Sequence, residues 1–115
     1  MNDLLNSLTT ELRRGTLTLA VLSKLSTPQY GYSLVQILEE SGIEIEQSTL
    51  YPLLRRLEKQ GLLTSSWDTT ESRPRKYYKI SSFGIEIFNQ LRAEWEKMTS
   101  ELEIVLKGDE GIETN

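Results

Sequence analysis

The stretch STLYPLLRRLEKQGLL, from Ser48 to Leu63, constrains the fold more than any other part of this sequence. Its apolar residues recur at i, i+3, i+4 and i+7, which places one stripe along an α-helix: Leu50, Leu53, Leu54 and Leu57. Ser48 or Thr49 is a suitable N-cap, and Gly61 ends the helix. Pro52 is tolerated in a first turn, because the N–H groups there have no partner within the helix.

Two helices are predicted before this stretch. Apolar residues at helical spacing indicate a first helix from about Asn6 to Leu25. The segment STPQYGY, residues 26–32, breaks it with a proline and a glycine. The second helix carries Leu34 and Leu38 and stops at Gly42, which suits the C′ position of a helix. Residues 43–47 then form a linker or a very short strand.

A β-hairpin and a long helix are predicted after the stretch. Alternation over residues 63–68 and 77–80 indicates two strands joined by a polar loop, residues 69–76. By strand parity Tyr78 and Ile80 face the core together with Trp67, while Tyr77 and Lys79 face outward.

The last helix begins after Ser81 or Ser82 and runs to about Lys107. Its apolar residues are spaced 3, 3, 4, 3, 4 and 3, close to a heptad seam: Ile85, Phe88, Leu91, Trp95, Met98, Leu102 and Val105. The acidic end, residues 108–115, is predicted to be a disordered tail.

The charge is polarised along the chain. The net charge is -4, yet residues 48–79 hold seven basic and three acidic side chains. The one positive region is therefore the third helix together with the hairpin that follows it. A local positive field of this kind can attract polyanions even on an acidic protein.

Composition excludes several function classes. A length of 115 residues indicates one small domain, and the apolar stretches are too short to cross a bilayer. There is no histidine and no cysteine, which excludes zinc sites and Ser-His or Cys-His catalysis. The acidic cluster at residues 39–46 lacks the spacing of a calcium loop and is interpreted as a solvated surface. We expect no metal, no cofactor and no enzymatic activity. No secretory leader is visible, so a cytoplasmic protein is expected.

The order of elements, three helices and then a hairpin, is that of a winged helix-turn-helix. The expected fold class is mainly α with a small β-hairpin (α+β), extended by the long C-terminal helix. In this fold the third helix enters the DNA major groove and the hairpin, called the wing, lies along the backbone or minor groove. DNA binding needs exposed cations on those two elements, where this sequence has them. An ordinary amphipathic helix with a solvated face, in which Glu58 pairs with a neighbouring arginine, is the alternative.

Three segments carry a resemblance to a known family: YGYSLVQIL (residues 30–38), STLYPLLRRLEKQGLLTSSW (residues 48–67) and RPRKYYKISSFG (residues 73–84). The chain resembles the short form of the PadR family of bacterial winged-helix transcriptional regulators over about residues 4–107. Ser48 departs from the family pattern, where many members have glycine. The resemblance implies a homodimer that binds a roughly palindromic double-stranded operator and represses transcription. It also implies a DNA-binding domain, residues 1–82, and a dimerisation helix, residues 83–107, that packs with the first helix.

The start of the third helix faces DNA in this family, and the cations complete the expected DNA-binding set. Arg55 and Arg56 are candidates for base edges or phosphates, and Lys59 for a phosphate. Tyr51 either contacts the DNA backbone or is a half-buried aromatic residue. Tyr32 is expected in the core. The full expected set is Tyr30, Ser48, Thr49, Tyr51, Pro52, Arg55, Arg56, Lys59, Arg73, Arg75, Lys76 and Tyr77.

The resemblance also implies a small-molecule site. In short PadR-like proteins a tryptophan at the position of Trp95 lines a pocket between the subunits and can stack on flat aromatic compounds. Its expected neighbours here are Arg92, Met98, Thr99, Leu12 and Thr16. The alternative for Trp95 is simple packing in the dimer seam. A winged-helix interaction module that has lost DNA binding is the competing function for the whole chain.

Overall fold

The computed structural model describes residues 2–108. Within them four helices and three strands follow in the order α1 (Asn2–Ser23), β1 (Gln29–Tyr30), α2 (Gly31–Glu40), α3 (Gln47–Lys59), β2 (Leu63–Asp68), β3 (Arg75–Ile80) and α4 (Ser82–Gly108). This confirms the expected mainly α fold with a β-hairpin, a winged helix-turn-helix extended by a long C-terminal helix. The tail predicted for residues 108–115 lies outside the described residues, apart from Gly108, which ends α4.

The core forms where the apolar stripes of three helices meet one face of the hairpin. The four leucines predicted for the third helix are all buried. They pack with residues of α1, α2, β2 and β3, among them Leu22, Leu34 and Ile80. Removing such apolar surface from water is the main stabilising contribution for a domain of this size.

Both α2 and α3 end in the same backbone motif. Gly42 and Gly61 have positive φ angles of 88° and 83°, which side chains with a Cβ rarely adopt. After α3, the Leu62 N–H donates to the Leu57 carbonyl at 2.9 Å and the Gly61 N–H donates to the Glu58 carbonyl at 3.0 Å. This pair of bonds is a Schellman motif, and it turns the chain directly from α3 into β2.

The sheet has three antiparallel strands in the order β1-β3-β2. The short β1 was not predicted, since residues 26–32 were interpreted as a break only. It pairs Gln29 with Tyr78 and Tyr30 with Tyr77. A two-residue strand shows no alternation, so its sequence carries no periodic signal. Its effect is to tie the start of α2 to the base of the wing.

Two aromatic residues expected in the core are exposed. Trp67 lies on the same face of the hairpin as Leu63, but 62% of its surface is accessible because the strands run past the core. Tyr32 is 57% exposed at the start of α2. The predicted face of Trp67 was correct and its burial was wrong, whereas Tyr78 and Ile80 are buried as predicted.

The start of α3 also differs from the prediction. The helix begins at Gln47, and its N-cap is Glu46, which makes no side-chain capping bond. Neither Ser48 nor Thr49 is the cap. Pro52 is therefore in the second turn, where its missing N–H leaves the Ser48 carbonyl without the i+4 donor. Ser48 is exposed, so water can bind that carbonyl.

The long α4 is fixed at its start and exposed along most of its length. The Ser81 hydroxyl caps it by accepting a hydrogen bond from the Gly84 N–H at 2.9 Å. Beyond its first turns α4 contacts α1, but much of the predicted heptad seam is open, with Leu102 53% and Val105 63% exposed. No helix among residues 2–108 combines the length and apolarity needed to span a membrane.

Candidate nucleic-acid interface

The outer face of α3 carries the cations predicted for it. Arg55, Arg56 and Lys59 are exposed, on the side opposite the buried leucine stripe. Tyr51 lies at the border between the two faces and is half-buried. The side chains of α3 therefore divide cleanly into a core face and a cationic face.

A groove of about 480 Å³ separates α3 from the wing. It brings together six of the predicted DNA-binding residues: Tyr30, Tyr51, Arg55, Arg73, Arg75 and Lys76. Its lining contains four tyrosines and four cations and no acidic side chain. On a chain of net charge -4, this concentration of cations gives the groove a local positive field of the kind that attracts anions.

The other predicted residues lie outside the lining of this groove: Ser48, Thr49, Pro52, Arg56, Lys59 and Tyr77. Thr49 borders a different groove, shared with Arg13 and Arg14 of α1 and with Glu46. Three further lining residues, Gly31, Tyr32 and Tyr78, were missed by the sequence prediction. The tyrosine-rich segment 30–32 was the available signal for the first two.

Gly31 and Tyr51 pack together at the back of the groove. A Cβ atom on Gly31 would overlap the aromatic ring of Tyr51. The ring therefore lies directly against the backbone at the start of α2, in space that only glycine leaves free. This contact fixes the direction in which the Tyr51 side chain faces the groove.

An aromatic pair forms the base of the wing. The rings of Tyr30 and Tyr77 stack with centroids 4.0 Å apart, and the Tyr77 hydroxyl donates to the Tyr30 hydroxyl. The guanidinium carbon of Arg75 lies 5.2 Å from the centroid of the Tyr30 ring, within range of a cation–π interaction. The hydrogen bond with Tyr30, followed by desolvation, raises the pKa of Tyr77 to about 12.

An ion pair joins the wing to α3. The Lys76 ammonium lies 3.1 Å from a carboxylate oxygen of Glu58, and the Ser65 hydroxyl donates to the other oxygen. Glu58 thus pairs with a lysine of the wing instead of a neighbouring arginine of its own helix. The Ser65 hydrogen bond first, and Lys76 as well, lower the pKa of Glu58, while Glu58 raises the pKa of Lys76.

A second groove, of about 280 Å³, lies between α1 and α4. Of the predicted small-molecule site it contains Trp95, Arg92 and Thr16, whereas Met98, Thr99 and Leu12 do not line it. The remaining lining residues were not predicted for this site: Leu19, Ala20, Ser23 and Phe88. Phe88 precedes Trp95 by two helical turns and so lies on the same face of α4, which is the sequence feature that could have predicted it. Within residues 2–108 no three acidic side chains are grouped to hold a metal ion.

Comparisons with known proteins show to which family this chain belongs. The sequence profile of the transcriptional regulator PadR-like family matches residues 18–90, more than half of the chain. The transcriptional regulator Rv3488 of Mycobacterium tuberculosis is 30% identical over 93 residues, which cover 80% of this chain and 87% of that protein. The crystal structure of a PadR family transcriptional regulator from Eggerthella lenta is similar with a TM-score of 0.87 and 46% identity, and covers 99% of this chain and 96% of that one. A transcriptional regulator from Clostridium thermocellum has a TM-score of 0.74 and 31% identity, with 81% and 95% covered.

These relatives are transcriptional regulators, which confirms the prediction that the chain is not an enzyme. The profile covers the end of α1, α2, α3, the wing and the start of α4, and the similarity to the Eggerthella lenta structure covers 99% of the chain. The chain therefore belongs to the PadR-like family of transcriptional regulators.

Proposed function

We propose that this chain is a homodimeric, sequence-specific DNA-binding repressor that acts on double-stranded operators in the bacterial cytoplasm. One observation carries the DNA-binding part of the proposal. The groove between α3 and the wing gathers four cations and four tyrosines with no acidic side chain in its lining. Because phosphate neutralisation dominates the affinity of proteins for DNA, this surface suits the DNA backbone.

In the proposed complex α3 is the recognition helix and lies in the major groove. Arg55 and Arg56 project from its exposed face, where a guanidinium can bind guanine O6 and N7 or a phosphate. The first turns of α3, with Thr49 and Tyr51, approach the backbone. Arg73 and Arg75, on the wing side of the protein groove, contact DNA phosphates.

Dimerisation is proposed through α4. Its apolar seam and the leucines of α1 are more exposed than expected for an isolated small domain, with Leu12 76% and Met98 61% accessible. A second copy would cover them. Two recognition helices related by a twofold axis would then read half-sites about one helical turn apart, roughly 34 Å.

A small aromatic effector is proposed to bind beside Trp95. The groove there is mainly apolar, with Phe88 and Trp95 as flat surfaces and Arg92 as a charged neighbour. Such a ligand would release DNA only if it prefers the dimer geometry that moves the two recognition helices away from the operator spacing.

The test is a salt titration of binding to the DNA upstream of the protein's own gene, with an unrelated duplex of equal length for comparison. A specific regulator should prefer one duplex by about 10³-fold or more, with affinity that falls steeply with salt. Arg75→Gln should weaken binding and, because the dimer loses two phosphate contacts, reduce the salt slope by about 1.8. Arg55→Gln should also weaken binding; the same change of slope would mark Arg55 as a phosphate contact, and a loss of sequence preference would mark it as a base contact. Lys97→Gln, an exposed cation on α4, is the matched control and should leave the slope unchanged.

Weak and equal binding to both duplexes would require a genome-wide selection of bound fragments. If that selection enriches no sequence, the proposal is refuted. It would favour the alternative, a winged-helix interaction module without DNA binding, in which Arg55→Gln and Arg75→Gln leave activity unchanged.

A further inference from the structure

We propose that Glu58 and Lys76 form a clamp that holds the wing at a fixed position against the recognition helix. Both are then positioning residues for DNA binding, and Lys76 is not a phosphate contact. This differs from the expectation for Lys76 based on the sequence. The inference rests on the proposed DNA-binding function for one of its two readouts.

One carboxylate joins three elements at the clamp. Glu58 extends from α3, accepts a hydrogen bond from Ser65 of β2, and pairs with Lys76 of β3 at 3.1 Å. The Lys76 ammonium also lies 5.0 Å from the centroid of the Tyr78 ring. Both side chains of the pair are about 70% withdrawn from solvent, with 29% of Lys76 and 30% of Glu58 accessible.

The clamp differs from the other ion pairs between described residues. Arg75–Glu71 and Arg92–Glu96 are local pairs with spacing i,i+4, and at least half of each side chain is exposed. Exposed pairs of that kind contribute little to stability. The Glu58–Lys76 pair spans 18 residues and is better shielded from solvent and salt.

The wing needs such a link because its strands extend beyond the core. Trp67 is the register partner of Lys76 and is 62% exposed, so this tryptophan adds little apolar packing between the hairpin and α3. Glu58 is the acidic side chain that meets the wing there. The charge of Lys76 is already offset by Glu58 in a partly buried pair, whereas the pair of Arg75 with Glu71 is exposed and screened by salt, so Arg73 and Arg75 are the wing cations proposed to face the DNA backbone.

The first readout is the direction in which each substitution changes operator affinity, together with the salt slope of binding. Glu58→Gln removes a negative charge beside the DNA-binding groove, yet it should weaken operator binding by about tenfold, the factor that ~1.4 kcal/mol represents. Lys76→Met should weaken binding by a similar factor with no change in salt slope. The double variant should lose no more than either single variant, since the two residues act as one unit.

The charge swap Glu58→Lys with Lys76→Glu separates positioning from direct contact. It should restore most of the affinity, although it places a carboxylate on the wing. Lys79→Met is the matched control, an exposed lysine on the opposite face of the same strand. It should change affinity less than twofold.

The second readout needs no DNA. Amide hydrogen exchange in residues 66–77 should be faster in Glu58→Gln and Lys76→Met than in the wild type, and should return to the wild-type rate in the charge swap. If the wild type binds no operator, the proposed function fails, but the exchange measurement still shows whether Glu58 and Lys76 hold the wing in position.

Several results would overturn the clamp. They are tighter operator binding by Glu58→Gln, a salt slope lowered by about 1.8 in Lys76→Met (two lost phosphate contacts per dimer), or unchanged amide exchange in both single variants. A charge swap that binds no better than the single variants would also contradict it.

Discussion

Gly84→Ala is the substitution for which the structure gives the clearest expected loss of stability. Gly84 is buried in the first turn of α4, and an added Cβ would overlap the carbonyl oxygen of Leu62 and lie 2.7 Å from Cγ1 of Ile80. The carbonyl of Leu62 cannot move away freely, because it accepts a hydrogen bond from the Ser81 N–H at 2.9 Å.

The magnitude follows from three contributions. Overpacking costs about 1–3 kcal/mol, and a weakened backbone hydrogen bond costs about 1 kcal/mol. The better helix propensity of alanine returns at most about 1 kcal/mol. The expected net loss in the free energy of unfolding is therefore about 2 kcal/mol.

Gly15→Ala is the matched control, since Gly15 is also helical and an added Cβ meets nothing within 4 Å. It should stabilise the protein by about 0.5–1 kcal/mol. Urea denaturation at one fixed protein concentration measures both variants, because association would couple to stability. Equal midpoints for Gly84→Ala and the wild type would refute the close approach of α4 to Leu62.

Three further substitutions test other parts of the structure. Gly31→Ala should weaken operator binding several-fold, because the added methyl group displaces the Tyr51 ring. In a Tyr51→Leu background the same substitution should have no further effect, and additive losses in this double-mutant cycle would contradict the contact. Leu54→Ala should lower the free energy of unfolding by about 2–5 kcal/mol in urea titrations, because Leu54 is fully buried; a loss below about 1 kcal/mol would mean that the core is not packed as described. Spectroscopic titration should show one tyrosine that ionises near pH 12, and Tyr77→Phe should remove it. Because folding favours the neutral phenol of Tyr77, its contribution to stability is complete below pH 10 and is lost as the pH rises toward 12; stability independent of pH in this window would argue against the Tyr30–Tyr77 bond.

Periodicity predicted the elements that are long and amphipathic. The leucines of α3 and the seam of α4 are visible because an apolar stripe repeats over several turns. The same rule predicted the face on which Trp67 lies. It could not predict its exposure, because the pattern of one strand does not show where the neighbouring elements end.

Contacts between distant residues were beyond the sequence. Glu58 and Lys76 are both charged residues of ordinary appearance, and only the docking of the hairpin on α3 brings them within 3.1 Å. The residues of α1 that line the groove beside Trp95 could not be predicted either, because the position of α1 along α4 decides which of them reach it. Thr16 does so, and Leu12 does not.

The direct contact between the start of α4 and the Leu62 backbone makes the long helix a lever. With 27 residues and a rise of about 1.5 Å each, α4 is about 40 Å long. A tilt of about 5° at one end displaces the other by roughly 3.5 Å, close to the ~3.4 Å spacing of successive nucleotides along a DNA strand. Because Gly84 has no side chain, the backbone of α4 lies directly against the Leu62 backbone at the fixed end of this tilt. In the proposed dimer, a small angular change at the seam would therefore shift each recognition helix by about one step along its operator.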